Sequence, residues 1–446
     1  MFNGFIALLF LSCLLSEQDS AEIVADTGSV DPYSDISLSQ KVVWRSVEYA
    51  YATGGELVDI NGDGLLDLVV SEGNDMEPGY IRVYYHNGEM LEEEASFVSI
   101  HAQFYGHLAT GDLNGDGWID VVVSKFLGDD RFDEPGGVEV YLNEEGVLPE
   151  TPSWSWDGAY TFSLALGDME QDGDIDIAVA VGEAYFNEPD FSFVLCNDGA
   201  GSFVQCWEDT IPRYSFDVSF CDLNRDGWQD LIFAHQGEGH TIRWGSIEGF
   251  SEEPDWQAQG SGFEGNTLDW GDINGDDILD IVVSENNQLG GAGTLRGWCG
   301  PDFLMCWESQ DEKQMQSAIL LRDFDGDGDT DLAASSWWGA LRIYEQTEDG
   351  MSPEPVFIGD DFDIVGEAFS WGTMKRVNVE TLVGSGMIEI PQRRTISSLS
   401  KGVFAGGYLF GEEIEAEVYV LEHMGLILTD WEKSQGNMLF VPEPME

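Results

Sequence analysis

An acidic nine-residue segment recurs six times at a nearly constant interval, and this constrains the fold more than any other feature of the chain. The first three copies are Asp59-Ile-Asn61-Gly-Asp63-Gly64-Leu65-Leu-Asp67, Asp112-Leu-Asn114-Gly-Asp116-Gly117-Trp118-Ile-Asp120 and Asp168-Met-Glu170-Gln-Asp172-Gly173-Asp174-Ile-Asp176. The next three are Asp222-Leu-Asn224-Arg-Asp226-Gly227-Trp228-Gln-Asp230, Asp272-Ile-Asn274-Gly-Asp276-Asp277-Ile278-Leu-Asp280 and Asp323-Phe-Asp325-Gly-Asp327-Gly328-Asp329-Thr-Asp331. Successive first aspartates lie 53, 56, 54, 50 and 51 residues apart. A period in this range means stacked supersecondary units. It overrules the three or so domains that a length of 446 residues would suggest at about 150 residues each.

Each unit has the same internal plan. A short strand rich in small residues, such as 106–111, runs into the acidic loop. An apolar run such as Leu68-Val69-Val70 or Ile281-Val282-Val283 leaves it, as expected of a strand buried on both faces. A third strand (Val138-Glu-Val-Tyr141, Leu341-Arg-Ile-Tyr344) and a fourth, often bearing Trp, complete the unit. No long stretch has helical periodicity. Four strands per repeat, arranged in a ring, predict an all-β protein, a β-propeller.

The expected blade number is seven, with six or eight as alternatives. One period beyond Asp323, Ala368-Phe-Ser-Trp-Gly372 resembles the earlier first strands, but Thr373, Lys375 and Val377 stand where the carboxylates should be. The second strand of this last blade is assigned to Leu426-Ile-Leu-Thr-Asp-Trp431 in preference to 379–383, and the third to 437–440. Residues 375–424 then form an insert within the blade. The fourth strand comes from Val42-Val43-Trp44, so both chain ends meet and no open sheet edge remains. The propeller spans 42–446, after a signal peptide (1–21) and a linker (22–41).

The loops have the chemistry of a cation site. Asp at positions 1, 5 and 9, with Asn, Asp or Glu at 3, converges hard oxygen ligands, and Gly at 6 permits a sharp turn. The residue at 7 (Leu65, Trp118, Asp174, Trp228, Ile278, Asp329) adds its carbonyl. An all-oxygen cage of this kind suits calcium better than magnesium, zinc or copper. About six calcium ions are expected, the alternative being merely acidic turns. An EF-hand is excluded: position 12 is Val70, Val123, Val179, Phe233, Val283 or Ala334, already inside a strand, so the ninth-position Asp closes the site.

These loops resemble the FG-GAP/VCBS repeats, the calcium-loop propellers of integrin α-subunits and many secreted microbial proteins. Phe104-Tyr-Gly106 before the loop and Tyr141-Leu-Asn-Glu-Glu-Gly146 after the third strand add to the likeness, which covers about residues 42–374 and the C-terminal strands. The resemblance implies a seven-bladed propeller with structural calcium pinning the first strand to the second. It implies no particular ligand.

Composition and cysteines bear on location and partners. Phe5 to Leu15 is an apolar run of signal-peptide length, although Met1-Phe2-Asn3-Gly4 lacks the usual basic residue. Leu11-Ser12-Cys13 also fits a lipoprotein cleavage site that would lipidate Cys13. Cys206 and Cys306 each precede a Trp and follow another cysteine at hairpin distance. This equivalence predicts disulfides Cys196–Cys206 and Cys299–Cys306 in an oxidising compartment, with five unpaired thiols as the alternative and Cys221 left over as a small buried residue. A formal net charge of -67 opposes nucleic acid and anionic membranes. With 43% apolar and 12% aromatic residues the chain still has ample material for a packed core.

In a propeller the acidic loops share one face, and the loops between second and third strands lie on the other. That second face receives Phe126, Tyr185, His235, Trp337, Trp338 and Trp431. Exposed aromatics there suit a carbohydrate or protein ligand, unless they pack between blades. The chain therefore reads as a secreted or cell-surface binding or adhesion module, expected to be monomeric. The alternative is a calcium-dependent polysaccharide lyase with His235 near its base; no Ser/His/Asp spacing or phosphate loop supports other chemistry, so no catalytic residue is assigned.

Overall fold

The computed structural model describes residues 44–47, 50–88, 90–182, 184, 187–324 and 327–359. It also describes the backbone of the strands within 364–440 and the side chains of 368–370. The signal peptide, the linker, Cys13, Tyr185, Asp325 and Trp431 lie outside the described residues.

Five sheets of four antiparallel strands follow one another along the chain. The first comprises Ala52–Val58, Asp67–Gly73, Pro78–Tyr84 and Phe97–Val98; the acidic loop joins its first strand to its second. The same order recurs in sheets starting at Phe104–Gly111, Thr161–Gly167, Ser215–Cys221 and Gly265–Gly271. The sixth blade, Met315–Arg322, Asp331–Gly339, Arg342–Tyr344 and Phe357–Ile358, belongs to a larger sheet of eleven strands.

The structure thus has six blades, which corrects the expected seven. The strand Ile364–Val379 pairs with the end of the sixth blade's second strand (Trp337 with Val365, Gly339 with Ile364). Every described strand C-terminal to it therefore joins the sixth sheet, and none stands as a separate one. Ile364–Val379 pairs in turn with Tyr408–Asp430, which pairs with Met438–Phe440, which pairs with Trp44–Arg45. The two ends of the chain do meet, with Trp44 opposite Leu439. Residues 375–424 extend this sheet through the further strands Leu382–Glu389, Arg394–Ser400 and Val403–Ala405.

The core lies between blades. One cluster joins Val122, Val138 and Val140 of the second blade to Ile177, Val179 and Leu195 of the third, and another joins Ile232 and Ile242 of the fourth to Ile281 and Val283 of the fifth. Each second strand is buried on both faces, which is why its sequence is a continuous apolar run and does not alternate. First strands crowd toward the ring axis and need small residues. A Cβ on Gly106 would sit 2.3 Å from Phe162 O and 2.5 Å from Ser124 Oγ. All six first strands also carry a register shift against their second strand near the end away from the acidic loop, bending the inner strand there.

Buried polar groups tie the blades laterally. Asp217 of the fourth blade accepts from Ser163 Oγ of the third at 2.5 Å and from Leu268 N of the fifth at 2.8 Å. Burial, with Asp269 adding repulsion, pushes its carboxyl up to about 7 against these hydrogen bonds.

Candidate functional site

The acidic loops fold by turning side-chain oxygens onto their own backbone. In the second loop Asp112 Oδ1 and Oδ2 accept from Asp116 N (3.0 Å) and Gly117 N (2.8 Å); Asn114 Oδ1 accepts from Asp116 N, and Asp116 Oδ1 from Trp118 N. The first, fourth and fifth loops repeat this pattern around Asp59, Asn61 and Asp63, around Asp222, Asn224 and Asp226, and around Asp272, Asn274 and Asp276. The third keeps the contacts of Asp168 and Asp172, with Glu170 at position 3. In the sixth, Asp329 N donates to Asp327 Oδ1 at 2.9 Å. Such turns bring Oδ1 of positions 1 and 3 to the same amide, that of position 5, in the first, second, fourth and fifth loops.

Both positions 4 and 6 take left-handed backbone. Gly suits this at Gly62 and Gly64 (φ 73° and 86°), whereas Gln171, Arg225 and Asp277 adopt it as non-glycine residues (φ 57°, 56° and 63°). Position 7 (Leu65, Trp118, Asp174, Trp228, Ile278, Asp329) contributes its amide to the position-5 carboxylate.

The ninth-position aspartates have a second task that the sequence reading did not foresee. In loops two to six, Oδ2 of Asp120, Asp176, Asp230, Asp280 and Asp331 accepts from the amide at position 2 (2.8–3.0 Å). In all six loops Oδ1 accepts from an amide at or just beyond the end of the third strand: His86 N to Asp67 and Asn143 N to Asp120 are the first two. Each is buried, and burial followed by backbone bonds and loop carboxylates sets its acidity: Asp67, Asp120 and Asp280 rise to about 6, Asp176 and Asp230 to about 7. Asp67 Oδ2 is buried without a hydrogen-bond partner. A buried carboxylate oxygen left so, beside Asp59 and Asp63, is the kind of group an oxygen-seeking cation satisfies, and the donor set fits one.

Two asparagines were missed as loop residues although Tyr141-Leu-Asn143 stood out in the sequence. Asn143 Nδ2 donates to Ile60 O of the first loop (2.8 Å) and Ile119 O of the second (2.9 Å). Asn197 Nδ2 donates to Leu113 O of the second (2.7 Å) and Ile175 O of the third (2.9 Å).

On the opposite face the expected aromatics differ in exposure. Phe126 is buried within a cluster of rings from three blades: its centroid lies 6.2 Å from Phe132, 6.5 Å from Tyr160 and 5.7 Å from Phe162, which stacks on Phe216 at 4.6 Å. Phe132, Tyr160 and Phe216 are half-buried and form its outer surface. Trp338 is 50% exposed with φ 56°, edge-on to half-buried Trp337 at 6.3 Å. His235 is not at a solvent surface. It is buried, with Nδ1 3.1 Å from Ser215 Oγ and Nε2 2.8 Å from Thr241 Oγ1, and burial holds it well below the ordinary histidine range. A cleft of about 300 Å³ opens nearby, lined by Tyr214, Gln236, Gly237, Phe263, Glu264 and Leu289 among others.

Both hairpin disulfides are present, Cys196–Cys206 and Cys299–Cys306, and Cys221 is buried and belongs to neither. No described helix is long and apolar enough to cross a membrane.

Comparison with known proteins agrees with this geometry. The FG-GAP-like repeat family matches residues 59–123, 112–179 and 222–283. Mouse integrin alpha-7 is 30% identical over 196 residues (40% of this chain, 15% of the integrin), and human integrin alpha-6 is 30% identical over 267 (54% and 22%). Integrin alpha-3 of Cricetulus griseus is 40% identical over 166 residues (31% and 15%). The chain thus aligns with less than a quarter of the length of each of these relatives. Repeated acidic loops, four-stranded blades and these matches together support a β-propeller of FG-GAP-like repeats.

Proposed function

We propose that the chain is an extracellular, calcium-stabilised adhesion module that binds a basic protein ligand on the face opposite its acidic loops. The observation that carries this reading is the half-exposed aromatic surface of Phe132, Tyr160 and Phe216 across three blades, set beside exposed Asp129, Asp130, Asp133 and Glu134. Rings flanked by carboxylates attract cationic side chains through the ring quadrupole and through charge. A cation–ring pair of this kind lies at this very cluster, Arg131 standing 5.6 Å from the Phe104 centroid. The net charge of -67 supports the same sign of partner. The integrin alpha relatives support adhesion as the class, and two disulfides support an oxidising location. A signal peptide at 1–21 and a single propeller from 42 to 446 carrying the 375–424 insert belong to this reading.

Calcium would be held by positions 1, 3, 5 and 9 of each loop together with the position-7 carbonyl, about six ions in all. Bound there, it neutralises carboxylates that otherwise repel. The residues themselves already pin the first strand to the second and, through the ninth Asp, to the third.

The test is binding of immobilised protein, with calcium, to a Lys/Arg-rich peptide and to the same peptide with those residues changed to Glu. The expected result is selective binding of the basic peptide, weakened about 10-fold or more by Phe132→Ala with Tyr160→Ala. Equal binding of both peptides, or no effect of the double change, overturns the reading. A carbohydrate ligand is the second reading, favoured by Trp338, a bulky exposed residue held in left-handed backbone. Glycan binding lost in Trp338→Ala would select it. The lyase alternative loses its base, because His235 is buried and fully engaged.

A further inference from the structure

We propose that Asn143 and Asn197 couple the first three acidic loops, so that they take up divalent cation as a linked set to which the fifth loop does not belong. The inference rests on the cation reading above and concerns these two side chains. Each amide group bridges two loops of adjacent blades: Asn143 joins the position-2 carbonyl of loop one to the position-8 carbonyl of loop two, and Asn197 does the same for loops two and three. Both asparagines are buried, so neither bridge is exchanged for water at little cost.

The bridges reach the ligands themselves. The amide N of each asparagine donates to the ninth-position Asp of its own blade: Asn143 to Asp120 Oδ1 at 2.7 Å, Asn197 to Asp176 Oδ1 at 2.9 Å. In loop two the peptide of Leu113 is gripped from both sides, its N by Asp120 Oδ2 (2.9 Å) and its O by Asn197 (2.7 Å). A shift of Asp120 therefore moves Asn143 and, through it, Ile60 of loop one; it also moves Leu113 and, through it, Asn197 of blade three. In blades four and five the position of the asparagine is held by Gly245 and Gly300, which bond the ninth Asp through the backbone and have no side chain to reach across. Loops sharing buried hydrogen bonds have one common arrangement to settle into, so ordering one favours ordering its neighbour.

Hydrogen exchange with mass spectrometry, followed segment by segment across a calcium titration, reads each loop separately. Asp112→Ala disables loop two. The expected result is that the midpoints for segments 59–67 and 168–176 rise about 5-fold or more, the lower range of site-to-site coupling, while 272–280 is unchanged. With Asn143→Ala added, the midpoint for 59–67 should no longer respond to Asp112→Ala, whereas that for 168–176 still does; Asn197→Ala should give the converse. The unchanged 272–280 segment shows that the variants remain folded, and the two asparagine variants test the idea independently if one fails to fold. An unchanged 59–67 midpoint in Asp112→Ala, or a shift that persists in Asn143→Ala, overturns the coupling. No calcium response in any segment of the unaltered protein overturns the cation reading instead.

Discussion

Asp217→Asn should change the sign of its effect on stability between acid and neutral pH. The buried carboxyl is pushed from 3.8 to about 7, chiefly by loss of water. Because its folded value lies above its unfolded value, the folded protein holds this proton more tightly. No ionisation cost exists below about pH 4, and stability falls as pH rises through the window to about 7. Roughly three units at about 1.4 kcal/mol each set a ceiling of ~4 kcal/mol at neutral pH. Asparagine keeps an acceptor for Ser163 Oγ and Val218 N but turns an NH2 toward Leu268 N, forfeiting one buried hydrogen bond, about 1–2 kcal/mol at any pH. The variant should therefore be less stable by about 1–2 kcal/mol near pH 4, where no ionisation cost opposes that loss. Near about pH 7.5 it should be as stable as the parent or more so. Urea unfolding of both proteins at matched pH, with calcium present so that the loop carboxylates contribute alike, gives the difference directly. Parallel stability–pH curves would refute the reasoning.

Chelation with EDTA should lower the unfolding temperature sharply, with recovery on adding calcium rather than magnesium; an unchanged temperature removes the cation role. Arg225→Gly relieves left-handed backbone at an exposed loop position and should raise stability by ~1 kcal/mol in urea unfolding, a neutral or negative result counting against strain there. Gly106→Ala forces a Cβ against Phe162 O and should cost about 1–3 kcal/mol. A smaller loss would mean that the blades can slide apart.

The repeat, the strand order and both disulfides were legible because each imposes local demands: carboxylates at fixed spacing, an apolar run where both faces are covered, cysteines on the two arms of one hairpin. Blade number was not, since it depends on whether 364–365 pairs with the end of another repeat, and no local residue encodes that pairing. Strand alternation indicated which end of the ring Phe126 and His235 occupy but not their depth. Ser215 and Thr241, which enclose His235, lie on other strands. The ninth aspartates read as ligands because they complete the acidic pattern. Their bonds to position 2 and to the third strand come from tertiary packing, as do the reaches of Asn143 and Asn197 into neighbouring loops.

The pairing of Trp44 with Leu439 also sets a timetable. The two residues are 395 apart (439 − 44), so bringing them together costs about 5 kcal/mol of chain entropy, against under 3 for closing one ~20-residue hairpin. Blades built from consecutive hairpins can form as the chain emerges from the ribosome, but the sheet holding Trp44–Arg45 waits for residues 438–440. A nascent chain stalled before residue 438 carries finished blades beside an unpaired strand partner, the form most open to pairing with another molecule.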